Sequence, residues 1–175
     1  MKQRALPDIW RKRAVNWLAL IVLAVVLATF GTYLRDRLAE SEAMAVRVVL
    51  NNLRSQLVIE QSTARVRLEK GSLAELDGGN PMALIEGETL NGTGRVDWEP
   101  ETPESYIGGC DRREPGEMGV WCFDPEHGEL RYYPRFALGD RFERAFNGEA
   151  YTWRVAISER DHLSLVPVGV RGENL

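Results

Sequence analysis

Ala14-Val-Asn-Trp-Leu-Ala-Leu-Ile-Val-Leu-Ala-Val-Val-Leu-Ala-Thr-Phe-Gly-Thr-Tyr-Leu34 is a run of 21 residues without a charged side chain. As an α-helix rising about 1.5 Å per residue it reaches roughly 31 Å, the thickness of a bilayer's hydrocarbon core. Leu20 and Val25 belong to its lipid-facing body, and Trp17 and Tyr33 stand near its ends, where amphipathic rings favour the interface. Arg11, Lys12 and Arg13 precede the run; Arg35 and Arg37 follow it, with Asp36 between them. The richer basic cluster predicts a cytoplasmic N-terminus and about 140 residues on the other side of the membrane. A secretory signal would have a shorter core and a small-residue cleavage site. Thr29-Phe-Gly-Thr-Tyr-Leu-Arg35 offers none, so the segment reads as an uncleaved anchor.

Charge is distributed to match. Lys2, Arg4, Arg11, Lys12 and Arg13 against Asp8 give the first thirteen residues +4, leaving −8 for the rest of a chain whose net charge is −4. An acidic body argues against nucleic-acid binding, which needs a concentrated basic face. With 44% apolar and 27% charged residues, the chain is too apolar for a disordered protein and too charged for a polytopic membrane protein.

Beyond Arg35 the apolar period changes. Val46, Val49, Leu50, Leu53, Leu57, Ala64 and Leu68 recur at helical steps, with Arg47, Asn51, Asn52, Arg54 and Ser55 on the opposite face. No Pro or Gly separates Thr32 from Lys70, so a single helix is expected, lipid-embedded first and amphipathic afterwards. The stripe fits two destinations. It packs on the chain's own sheet, or Val46, Val49, Leu50, Leu53 and Leu57 form a partner-binding face in a juxtamembrane coiled coil.

Gly71 supplies a helix stop, and Asn80-Pro81 starts a short helix through Ile85. Residues 87–119, rich in Gly, Pro and acidic side chains, read as a long loop with one short strand near Arg95–Trp98. The last third reads as sheet. Val120–Phe123 and Leu130–Tyr133 flank the turn Asp124–Gly128. Phe142–Phe146 and Tyr151–Ser158 flank Asn147-Gly148, and Leu163–Val168 closes the sheet at an edge marked by Pro167. Helix first and antiparallel strands later make an α+β fold. The resulting division is a cytoplasmic tip at 1–13, a transmembrane helix at 14–34 and an extracytoplasmic domain at 35–175.

Motifs that carry chemistry are sparse. Cys110 and Cys122 would share an oxidising compartment and close a 13-residue loop, which predicts a structural disulfide; a metal site with His127 and Asp124 is the rival reading. Asp161, His162 and Ser164 have the residue types of a nucleophilic triad, but adjacency in sequence does not create triad geometry. The carboxylates between Glu86 and Glu104 lack EF-hand spacing and read as a solvated acidic loop. No P-loop or dinucleotide fingerprint occurs. The expectation is a protein that is not an enzyme and uses no cofactor, metal or small-molecule substrate.

The basic tip, the apolar helix running into an amphipathic one, the loop and the terminal sheet resemble type IV pilins and pseudopilins. The closer similarity is to the MshF-type proteins of MSHA (mannose-sensitive haemagglutinin) pilus biogenesis. It is carried by Val49-Leu-Asn-Asn-Leu-Arg-Ser-Gln-Leu57, Gly79-Asn-Pro-Met-Ala-Leu84, Gly119-Val-Trp-Cys-Phe-Asp124 and Leu130-Arg-Tyr132. The resemblance implies a single-pass inner-membrane protein with a periplasmic domain. Its partners would be the bilayer, pilin-like subunits and the membrane proteins of pilus or secretion assembly. A prepilin carries Gly followed by Phe or Met, then a Glu five residues into the helix. Gly31-Thr32 stands at the wrong end and the span has no Glu, so a permanently anchored accessory component is implied rather than a processed subunit. The alternative is an anchored sensory or ligand-binding domain.

Overall fold

In a computed structural model the described residues are 8–67, 73–74, 76–85, 102–158 and 162–169. The strand read near Arg95–Trp98 and most of the acidic loop lie outside them. One helix, α1 (Asp8–Arg67), is followed by a five-stranded sheet of β1 (Tyr106–Gly109), β2 (Val120–Asp124), β3 (Glu129–Tyr133), β4 (Tyr151–Ile157) and β5 (Leu163–Pro167). The chain divides into two compact units, Met1–Glu40 and Ser41–Leu175.

In the first unit every large apolar side chain from Val15 to Leu34 is about half exposed or more, including Trp17, Leu20, Val25 and Tyr33. The segment is long and apolar enough to cross a membrane. Its two threonine hydroxyls are satisfied within the helix: that of Thr29 donates to the carbonyls of Val25 and Val26, and that of Thr32 to Thr29, each at 2.9 Å. Internal satisfaction of this kind is what a helix surrounded by hydrocarbon requires.

In the second unit the helical stripe turns inward. Val46, Leu50, Leu53, Leu57 and Ala64 are buried against Trp121, Leu130, Tyr132, Trp153, Val155, Leu163 and Leu165 of the sheet, and Val49 packs at the edge of this cluster. Alternation along the strands puts those sheet residues on one face. Burying each such side chain stabilises by about 1.5–3 kcal/mol. Of the two destinations open to the stripe, the chain's own sheet takes it. Val46, Leu50, Leu53 and Leu57 are therefore core residues, and the reading of them as an exposed partner-binding face is corrected.

Two further expectations change. The sheet is mixed rather than antiparallel: β2 through β5 pair antiparallel in sequence order, but β1 runs parallel to β2, with Tyr106 opposite Trp121. Tyr106-Ile-Gly-Gly109 has too much glycine to read as a strand, and it becomes one by pairing with β2. Phe142–Phe146 is not a strand either. Asp140–Ala145 forms a 3-10 helix that buries Phe142 and Ala145, three residues apart, and only Phe146 reaches Tyr151 as an isolated bridge. Asn80 and Pro81 start a 3-10 helix, Pro81–Leu84, as their types suggested. The Asn80 carboxamide accepts from the Met82 N–H at 3.1 Å. β5 lies at the sheet edge, as Pro167 implied.

Candidate interaction surfaces

Position 42 joins helix and sheet most directly. One oxygen of the Glu42 carboxylate accepts from the Tyr132 hydroxyl at 2.7 Å and from the Arg135 backbone N–H at 2.8 Å; the other accepts from the Phe136 N–H at 2.9 Å. The loop leaving β3 is thereby clamped to α1 by a charged acceptor, the stronger class of hydrogen bond. Burial, then the hydrogen bond to Glu42, raises the Tyr132 pKa well above that of an ordinary phenol. No local pattern marks Glu42, because its partners lie about ninety residues away.

The sheet face turned away from α1 carries the cysteines. Cys110, just after β1, is bonded to Cys122 on β2, with a Cα–Cα distance of 4.9 Å, so Cys122 is not free to act as a metal ligand. Val120, Tyr133 and Ala150 complete a second small apolar cluster around Cys122. The Arg113 guanidinium covers it, 3.6 Å from the Tyr133 ring centroid, while bonding Glu149 at 2.9 Å.

Further along this face Asp124 stands directly opposite Glu129, a like-charge pair that would destabilise the β2–β3 hairpin by itself. Arg131 bonds both carboxylates, at 2.7 and 2.9 Å, and Arg154 on β4 reaches Glu129 at 3.4 Å. Burial pushes the Asp124 carboxyl up, but His127, 2.8 Å away, and the charge of Arg131 outweigh it and hold the carboxyl below its usual range. The Arg131 pKa is raised: burial opposes this, and the bonds to Glu129 and Asp124 prevail. Both groups are held charged, so the cluster is an ion-pair ladder and not an acid–base pair. The hairpin tip has one backbone constraint. Gly128 has φ +64°, and a Cβ there would strike the Gly78 carbonyl oxygen at 2.7 Å.

No family model, curated protein or solved structure matches this chain. Its surfaces therefore have to be read from their own chemistry.

Two of them are apolar and uncovered among the described residues. An open groove of about 500 Å³ lies between the loop leaving β3 and the start of β4, lined by Met118, Phe136, Phe146 and Tyr151, with Asp140 and Glu143 among its charged residues. The second surface is the face of α1 directly opposite the buried stripe. Met44, Val48, Val58, Ile59 and Val66 lie on it, all more than half exposed. Their consecutive steps of four, ten, one and seven residues were present in the sequence, but the denser inward stripe masks them.

Proposed function

We propose that this protein is a non-enzymatic accessory component of a type IV pilus of the MSHA type, or of a related type II secretion-like machine. It would be held in a bacterial inner membrane by residues 14–34, with the tip at 1–13 in the cytoplasm and residues 35–175 in the periplasm. It would act by protein–protein contacts of its helix and sheet with pilin-like subunits and assembly proteins.

The observation that carries this reading is the double use of α1. An exposed apolar segment suited to lipid is followed in the same helix by a stripe that forms the core of an α+β domain. That arrangement is what the resemblance to pilins and pseudopilins leads one to expect. The Cys110–Cys122 bond suits an oxidising compartment such as the periplasm. The basic tip suits a cytoplasmic N-terminus. The absence of Glu from the apolar run favours a permanent anchor over a processed subunit.

The test is crosslinking in intact cells, followed by detergent purification of a tagged full-length copy and mass spectrometry. Recovery of pilin-like and pilus-assembly proteins is expected. Recovery of transporters or enzymes instead would overturn the reading. The groove of about 500 Å³ favours a second function, an anchored ligand-binding domain, because its size falls within the range of small-molecule sites. A ligand-dependent rise in melting temperature, abolished by Phe146→Ala, would establish that function in place of the first.

A further inference from the structure

The groove beside the loop leaving β3 has fixed walls and unanswered charges. The loop is held at both ends: the Glu42 carboxylate accepts from the Arg135 and Phe136 N–H groups, and the Tyr151 hydroxyl accepts from the Leu138 N–H at 3.0 Å. A groove whose wall is set before anything enters loses little ordering entropy on binding. Phe136 and Tyr151 give it an apolar floor. Met118 and Phe146 remain 48% and 38% exposed, so the apolar lining is open to a ligand. Its volume of about 500 Å³ suits a small molecule.

Charge identifies the occupant. Of the charged residues lining the groove, Glu149 is already bonded to Arg113 at 2.9 Å, whereas Arg135, Asp140 and Glu143 form no ion pair among the described residues. Arg135 is nonetheless seated. Its Nε donates to the Met118 carbonyl at 3.3 Å, and Gly119, with φ +78°, leaves the space it needs, since a Cβ there would strike that nitrogen. Both Nη groups, an end-on fork for a carboxylate, are left without a hydrogen-bond partner among the described residues. At the other end of the loop, Asp140 and Glu143 stand three residues apart in the 3-10 helix Asp140–Ala145, which puts them on one face of it. A cation alone would leave Arg135 unanswered, and an anion alone would meet two carboxylates. We propose that the groove binds a zwitterion with an apolar body, an apolar amino acid or a short apolar peptide with free ends. Its carboxylate meets Arg135, its ammonium meets Asp140 and Glu143, and its side chain lies against Phe136 and Phe146. The inference rests on the reading of an anchored ligand-binding domain and names that domain's ligand.

The experiment is calorimetric titration of the full-length chain in detergent micelles. The probes are phenylalanine and phenylalanyl-leucine, with phenethylamine and 3-phenylpropionate as the same body lacking one charge. At least one zwitterion is expected to bind about tenfold more tightly than either single-charge analogue, the factor that one charged hydrogen bond supplies. Which of the two zwitterions binds more tightly separates a free amino acid from a peptide. Arg135→Gln should leave the zwitterion no better than the amine, and Asp140→Asn with Glu143→Gln should leave it no better than the acid. An unchanged melting temperature without ligand, and retention of the Cys110–Cys122 bond on non-reducing gels, show that these variants still fold. Equal affinity for zwitterion and amine, a preference that survives both sets of substitutions, or no binding of any probe at millimolar concentration each overturns the proposal. A ligand of another class, lost on Phe146→Ala, would overturn it too but leave the ligand-binding reading standing. A metabolite panel that never shifts the melting temperature would remove both.

Discussion

Residues 14–34 and residues 41–67 belong to one helix and are both rich in Leu, Val and Ala, yet they use those residues in opposite ways. In the first segment apolar side chains surround the axis, and all the large ones are exposed within the chain. In the second, the buried ones are confined to a stripe that ends against Trp121, Leu130 and Trp153. Apolar content is therefore a poor guide to destination, and angular distribution with the position of charge is a good one. Arg47, Arg54 and Glu60 break up the second segment's surface, whereas nothing charged interrupts the first. A helix apolar on all sides needs an apolar solvent, and a helix apolar on one side needs only a sheet.

The largest effect that separates the two segments is on membrane insertion. Leu20→Arg with Val25→Arg places two cations in the middle of the apolar run, at about 2.5–3.5 kcal/mol each on an insertion scale. The double variant is expected to leave the membrane pellet for the soluble fraction, with the melting temperature of the sheet domain unchanged. A fall in that melting temperature would show that the apolar run supports the domain, and the contrast between the segments would fail.

Within the second segment the two faces of α1 should differ just as clearly. Leu53 is fully buried, and Leu53→Ala is expected to destabilise the domain by about 3 kcal/mol, from lost transfer energy and the cavity left behind. Val48→Ala, on the face directly opposite, should cost less than about 0.5 kcal/mol. Denaturant titrations followed by tryptophan fluorescence would report both, since Trp121 and Trp153 sit in the core. Equal costs would mean that the outward face is already covered.

Much of this architecture was legible because it rests on local patterns. The stripe is a 3.6-residue period, β2 to β5 are alternations bounded by turn residues, and Asn80-Pro81 is a start signal. The parts that were not legible depend on long-range pairing. Tyr106-Ile-Gly-Gly109 is a strand because β2 lies beside it. Phe142–Phe146 has the aromatic content of a strand but the three-residue spacing of a helical turn. Glu42 resembles any helix glutamate until the loop at residues 135–136 arrives to present its N–H groups. The exposed apolar face of α1 was visible as residues and invisible as a surface, because only the packing shows which side of the helix is buried. A partner face on the stronger stripe fails for this reason: the strongest stripe in a small domain is the one its own core takes.

Two intermediate effects test the links between helix and sheet and within the sheet. Replacing Cys110 and Cys122 together with Ser should destabilise the domain by about 3 kcal/mol, since the bond closes a loop across twelve positions and Cys122 is fully buried. Reduction of the native protein should reproduce the effect, and thermal unfolding with and without reductant would measure it. Glu42→Ala strands the Arg135 and Phe136 N–H groups and should cost about 2 kcal/mol, more than the roughly 1 kcal/mol expected of Tyr132→Phe. In the double variant the Tyr132 change should add almost nothing, because its hydroxyl has already lost its acceptor. Full additivity would show that the Tyr132–Glu42 bond contributes nothing to holding the loop.

The smallest effects separate the two faces of the sheet by pH. On the outer face, Asp124 is held below its ordinary value, so its native carboxylate is favoured by His127 and Arg131. Its contribution to stability is complete above about pH 4, the unfolded value, and is lost as pH falls through the lower folded value. On the inner face, burial and Glu42 raise the Tyr132 hydroxyl. There the sign is reversed: the contribution is complete below about pH 10 and is lost as pH rises, because the unfolded phenol ionises while the folded one does not. Asp124→Asn should therefore flatten the acid limb of a plot of melting temperature against pH without touching the alkaline limb, and Tyr132→Phe should do the opposite. If either substitution changed both limbs equally, the two faces would be electrostatically coupled through the strands. The ladder of Asp124, Glu129, Arg131 and Arg154 could then no longer be treated apart from the helix clamp at Glu42.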